Sequence, residues 1–130
     1  MKIGLDLDGT LYGFPKFFKA MIESMVRDGH EFFCTSNWQR SKWDWHRKKI
    51  AYLDIDPDLI SPELLDNERH FLRKDGPQNK ARMADLLDIV FDDHADHIQH
   101  LTATPIMKCP AKIGKKRPSD EEVENKGIIK

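Results

Sequence analysis

Asp6 and Asp8 stand two residues apart where a short apolar run ends, and Gly9 and Thr10 follow them. Alternate residues of an extended chain face the same way, so both carboxylates can approach one centre. Two like charges held that close need a proton or a cation between them. A hard divalent ion such as Mg²⁺ suits carboxylates, a backbone carbonyl and water. Gly9 lets the backbone turn sharply beside a ligand. Two more polar clusters end apolar runs: Thr35-Ser36-Asn37 follows Phe32-Phe33-Cys34, and Asp92-Asp93 follows Ile89-Val90-Phe91.

The elements that must carry these groups alternate in type. Strands are expected at residues 2–7, 31–35, near 58–60, at 88–91 and at 104–108. Helical spacing covers residues 15–28, where Phe17, Phe18, Met21, Ile22, Met25 and Val26 share a face and Gly29 is a natural stop. Residues 37–53 read as a second helix with Trp38, Trp45, Ile50 and Leu53 on one side. Residues 62–78 read as loop, because Pro62, Gly76 and Pro77 interrupt any pattern. Asn79 caps a short helix over 80–87, and 95–101 is helical. Such alternation predicts an α/β fold: a three-layer, Rossmann-like parallel sheet with helices on both faces. Ligands in such sheets sit at the carboxyl ends of the strands. All three polar clusters are expected on that one edge. Residues 1–110 form the expected core, and the charged residues 111–130, with a helical turn at 120–124, an appended or disordered tail.

The run Ile3-Gly4-Leu5-Asp6-Leu7-Asp8-Gly9-Thr10-Leu11 closely resembles the first motif of the haloacid-dehalogenase-like phosphohydrolases. Phe32 to Asn37 resembles their second motif, Lys80 in Gln78-Asn79-Lys80-Ala81 their third, and Ile89 to Asp93 their fourth. The resemblance covers residues 2 to about 108 and implies a catalytic division of labour. Asp6 is then the nucleophile, giving an aspartyl-phosphate. Asp8 is the general acid and then the base that activates water. The resemblance further implies Mg²⁺ held by Asp6, the Asp8 carbonyl and the Asp92/Asp93 pair. Thr35 Oγ1, the Ser36 amide and Lys80 hold the phosphoryl oxygens, aided by the amides of residues 7–9, Gly9 among them. Two alignments of the fourth motif stay open. One makes Asp93 the metal ligand, with Asp92 as its partner paired to Lys80. The other makes Asp92 the ligand and Asp96 its support. His94, His97 and His100 have the spacing of one helical face but no tight zinc pattern.

Members of that family usually carry a cap inserted after the first motif or after the third strand. Residues 12–31 hold little beyond one helix, and 61–78 are too few for a folded cap. An uncapped, open site is the expectation, suited to a large substrate or to cover by a second subunit of a homo-oligomer. The segment after the second motif, WQRSKWDWHRKK, mixes aromatic and basic residues. Trp38, Arg40 and Lys42 in it, with Asn37 just before it, are substrate-binding candidates, because stacking rings and cations suit a nucleotide or a polynucleotide end. The competing reading packs the Trp residues in the core and leaves Lys and Arg in water. Arg69, Arg73 and Lys74 form a second basic cluster, read as solvated. Phage polynucleotide 3′-phosphatase domains and small deoxyribonucleotidases are the resembled relatives. A protein phosphatase of the same fold and an idle binding module are the alternatives.

Composition narrows the classes further. With 130 residues the chain suits one domain. Lys and Arg total 21 against 22 Asp and Glu, a net charge of −1 that excludes a globally basic nucleic-acid protein and an acidic disordered chain. No apolar run is long enough to span a bilayer, and no signal-peptide pattern leads the chain. Two cysteines, Cys34 and Cys109, form no framework and read as small buried residues of a cytoplasmic protein.

Overall fold

The apolar runs become the strands of one sheet. The computed structural model describes residues 1–67, 73–110 and 117–129. Strands β1 (Lys2–Leu5), β2 (Glu31–Cys34), β3 (Ile60–Ser61), β4 (Ile89–Asp92) and β5 (Ile106–Lys108) lie in the order β3-β2-β1-β4-β5. Every neighbouring pair is parallel. Helices α1 (Pro15–Arg27), α2 (Trp43–Tyr52), α3 (Gly76–Ala84) and the single turn α4 (Ala95–Ile98) connect them, and α5 (Asp120–Ile129) follows. The fold is therefore α/β with an all-parallel sheet, an arrangement compatible with a Rossmann-like fold.

Side-chain alternation divides the interior in two. Ile3, Leu5, Phe32 and Cys34 join Phe18, Ile22, Trp43 and Ile50 in one buried cluster. Phe33 and Val90 join Ala81, Ala84, Ala95 and Ile98 in another. Successive strand residues point to opposite faces, so each face of the sheet has its own core. On the α3 side the packing is close. A Cβ at Gly4 would lie 2.8 Å from Leu87, Thr35 and Val90 side-chain carbons, so only glycine fits there. The chain runs outward from β1 through β2 to β3, then returns to the far side of β1 as β4. The reversal beside β1 is the switch point at which parallel sheets open a crevice.

Several elements differ from expectation for local reasons. β1 stops at Leu5, because the chain turns through residues 7–11 with Gly9 at φ 77°. β3 occupies Ile60–Ser61, since Pro57–Leu59 forms a 3₁₀ turn whose N-cap Asp56 accepts the Asp58 N–H. β5 begins only at Ile106. The 95–101 segment divides into α4 and a 3₁₀ turn, Gln99–Leu101. α3 starts at Gly76, not at Lys80, and Pro77 sits in its first turn, where a missing N–H leaves no bond unmade. Asn79 is thus inside the helix, not its cap. Trp38 lies outside α2, and the buried face of that helix carries Trp43, His46, Lys49 and Ile50.

The C-terminal segment is more than an appended turn. Lys49, only 2% exposed, donates to the Pro118 carbonyl at 2.6 Å and meets the Asp120 carboxylate at 3.0 Å. The Trp45 indole donates to Asp120 at 2.7 Å, and Lys126 donates to the Tyr52 carbonyl at 2.7 Å. These bonds dock α5 on α2. Residues 111–116 of the expected tail lie outside the described residues, as does Arg69 of the second basic cluster. Cys34 and Cys109 are buried and free. Among the described residues no helix is long and apolar enough to cross a membrane.

Candidate active site

Asp6 leaves β1 and donates its backbone N–H to the Phe91 carbonyl of β4 at 3.1 Å. That places its buried side chain at the switch point. The Ser36 hydroxyl, just beyond β2, donates to Asp6 Oδ1 at 2.9 Å and accepts the Leu7 N–H at 2.9 Å. Thr10, fully buried, has its hydroxyl 3.5 Å from Asp6 Oδ2 and accepts the Asp93 N–H at 3.1 Å. Lys80, on α3, reaches Asp92 Oδ2 at 2.8 Å and Asp6 Oδ1 at 3.2 Å. The His94 N–H donates to the other oxygen of Asp92 at 2.8 Å. Both oxygens of Asp92 are therefore engaged.

Asp93 is placed differently. Its carboxylate lies against the Gly9 backbone, where a Cβ would come within 2.2 Å of Oδ2. Asp93 Oδ1 is buried without a hydrogen-bond partner, and so is Thr35 Oγ1. Asp6, Asp92 and Asp93 each offer a carboxylate oxygen, all within 4.8 Å of one another. Burial, with the charge of Asp92 and a contact from Asp93, pushes the Asp6 carboxyl above its ordinary range against the pull of Lys80 and Ser36. Burial alone would weaken the charge on Lys80, but the carboxylates of Asp6 and Asp92 hold its ammonium above the usual lysine range. The centre is short of positive charge. A proton among the three carboxylates would reduce the imbalance, and a divalent cation would offset it.

Asp8 does not converge with Asp6 as the alternation of an extended strand predicts. It stands outside the carboxylate group, because the chain has already left β1 and turns at Asp8 and Gly9. Its side chain is 51% exposed, with Oδ2 3.5 Å from Arg117 Nη1 and 3.4 Å from Trp38 Nε1. The Trp38 ring packs against His46 and Trp45 at 4.8 and 5.6 Å between centroids. His46 Nδ1 meets the Tyr12 hydroxyl at 2.7 Å. Burial and the nearby cations of Arg117 and Lys49 lower the His46 pKa to about 4.

No protein-family model matches the chain. No curated protein or solved structure matches it significantly. The geometry alone sorts the remaining sequence candidates. Asn37 ties the end of β2 to α3: its amide donates to the Gly76 carbonyl at 3.2 Å and accepts from Asn79 at 2.9 Å. It steadies the helix that carries Lys80. Arg40 is exposed, and its guanidinium bonds the Glu63 carbonyl. Lys42 is exposed in the turn before α2. Asp96 is exposed and pairs with Lys108, away from the carboxylates. His94 and His97 line a cleft of about 220 Å³ beside Lys80. Sequence reasoning gave no role to Thr10, although it closes the D-x-D-G-T run, and gave none to Arg117.

Proposed function

We propose that this protein is a Mg²⁺-dependent phosphomonoesterase with a haloacid-dehalogenase-like core and no cap, acting on a nucleotide or a polynucleotide end. The observation that carries this reading is the carboxylate group of Asp6, Asp92 and Asp93 at the switch point, with Lys80 against it and one oxygen of Asp93 unpartnered. The donors are hard oxygens, the chemistry that suits Mg²⁺ rather than a thiophilic metal. Asp6, Asp93 and the Asp8 carbonyl would hold the ion. Asp92, bonded to Lys80 and the His94 N–H, would support them. When bound, Mg²⁺ supplies neutralisation of the charge on the phosphoryl oxygens.

The side chains then divide the reaction. An Asp6 oxygen attacks phosphorus, the Asp6 O–P bond forms, and the P–O bond to the leaving group breaks. Asp8 delivers a proton to the departing oxygen. In the second step Asp8 takes a proton from water. That water attacks phosphorus, and phosphate leaves with Asp6 restored. Thr35 Oγ1, the Ser36 amide and Lys80 hold the equatorial oxygens. The Ser36 hydroxyl aims Asp6. A cytoplasmic location fits the two free cysteines.

Hydrolysis of an aryl phosphate, with and without Mg²⁺, tests the proposal. Wild type is expected to turn over only with the metal, and Asp6→Asn to be inert. Equal inertness of both proteins across divalent metals would favour an idle binding module. A panel of phosphorylated mononucleotides, oligonucleotides and phosphopeptides then separates the nucleotide reading from a protein phosphatase.

A further inference from the structure

The leaving group of a phosphomonoester lies on the Asp8 side of the site, because Asp8 is the group that meets the departing oxygen. This placement rests on the phosphatase reading. What surrounds Asp8 therefore faces the part of the substrate that distinguishes one ester from another. Among the described residues its carboxylate is met by Trp38 and Arg117.

Arg117 comes from the C-terminal segment, and the molecule fixes it there by a built anchor. Lys49 is nearly inaccessible to solvent, and its ammonium holds the Pro118 carbonyl, one residue beyond Arg117, and the Asp120 carboxylate. Burying a lysine is unfavourable unless its charge is paired and hydrogen-bonded, so this lysine serves the docking of that segment. The guanidinium lies 5.3 Å from the Trp38 ring centroid and 5.1 Å from that of Trp45. Lys49 Nζ also lies over Trp45, at 4.3 Å. The two indoles are thus covered by the protein's own cations. They work as a platform for Arg117, not as a bare surface for a base. The Arg117 side chain remains 39% exposed beside Asp8.

We propose that Arg117 is a specificity-determining residue that binds a second anionic group of the substrate, the phosphodiester adjoining the terminal phosphate of a polynucleotide. A guanidinium presents a rigid fork of donors that fits two phosphate oxygens, and stacking on aromatic rings preserves its charge while restricting its motion. Its contact with Asp8 holds it in place until the diester replaces the carboxylate. A carboxylate also offers two oxygens to that fork, so an acidic phosphopeptide is the competing occupant in the test.

The test compares a short oligonucleotide carrying a terminal phosphate with an aryl phosphate, which has no second anion. The ratio of their kcat/KM values in wild type is expected to exceed that in Arg117→Ala by about tenfold or more, with Arg117→Lys between them. Raising the salt concentration should lower the wild-type ratio more steeply than that of Arg117→Ala. Tryptophan fluorescence titration of Asp6→Asn, with and without Arg117→Ala, against the same oligonucleotide reads binding without turnover. A ratio unchanged by Arg117→Ala, with oligonucleotide binding equally unchanged, overturns the inference and leaves the phosphatase reading intact. An Arg117-dependent preference for an acidic phosphopeptide alone also overturns it. Arg117-dependent oligonucleotide binding by a protein that hydrolyses no ester sustains the anion site and refutes the phosphatase reading.

Discussion

Two polar clusters meet at the loop between Asp6 and Asp8, and they differ in their balance of charge. The centre gathers Asp6, Asp92 and Asp93 around Lys80, and its carboxylates outnumber its cation. The rim gathers Arg117 and Lys49 around Trp38, Trp45 and His46, with the carboxylates of Asp8 and Asp120 at its edges. Burial and the charge of Asp92 push Asp6 up against the pull of Lys80, whereas burial and neighbouring cations push His46 down. The centre thus lacks countercharge, which under the proposed function a cation would supply, while the rim pairs its cations with carboxylates that a substrate anion would replace. In the proposed reaction a Mg²⁺-bound phosphomonoester with a charged leaving group would meet both.

Removing the Lys80 cation from the centre should have the largest effect on folding. Lys80→Met leaves buried carboxylates unpaired and is expected to destabilise the fold by about 3–5 kcal/mol. Urea unfolding with and without Mg²⁺ checks it, and the variant should gain more from the metal than wild type does. If Mg²⁺ stabilises neither protein, the shortage of charge at the centre is not met by a metal.

The rim predicts a pH dependence of its own. His46 has a folded pKa of about 4 against an ordinary value of 6.5. Between those values the unfolded chain binds the extra proton, so stability falls as pH drops through that window. The expected loss is roughly 3 kcal/mol over the whole interval. His46→Gln removes the titration while keeping a partner for the Tyr12 hydroxyl. Its unfolding free energy should vary less between pH 7 and pH 4 than that of wild type. Parallel pH profiles would show that the rim does not hold a neutral imidazole.

Gly9→Ala sharpens how the centre is assembled. The new Cβ would meet Asp93 Oδ2 and adopt a positive φ, a cost of about 1–3 kcal/mol. Because it displaces Asp93, the variant should also lose most of any Mg²⁺-dependent rise in Tm. Lys42→Ala should be the smallest of the four, within about 0.5 kcal/mol of wild type in unfolding free energy, because its side chain is exposed. A larger shift would mean that the rim extends to the turn before α2.

The sequence made the centre legible and the rim largely opaque. Asp6, Thr35, Ser36, Asp92 and Asp93 each close an apolar run, so a parallel sheet necessarily brings them to one edge. Lys80 followed from the resemblance of Gln78-Asn79-Lys80-Ala81 to a third motif, although Gly76-Pro77 concealed where α3 begins. Proline breaks a helix interior but is tolerated in a first turn, and residue spacing does not distinguish the two. The direction of Asp8 was not legible, because a single positive φ at Gly9 sets it. The rim joins Asp8 to Arg117, 109 positions further along the chain. No periodicity links these residues. A lysine in the middle of α2 was the one available signal, and it reads as solvated until Pro118 and Asp120 are seen against it.

In the proposed reaction Asp6 carries the phosphoryl group and Asp8 releases it. Rapid quench of Asp8→Asn mixed with an aryl phosphate and Mg²⁺, followed by peptide mass spectrometry, tests it most directly. A good leaving group departs without an acid, but hydrolysis of the intermediate lacks its base. A burst of phenolate equal to the enzyme is expected, with one phosphoryl group on Asp6. Mg²⁺-dependent turnover by wild type with no phosphoryl group on Asp6 in either protein, and with Asp6→Asn still active, would contradict it.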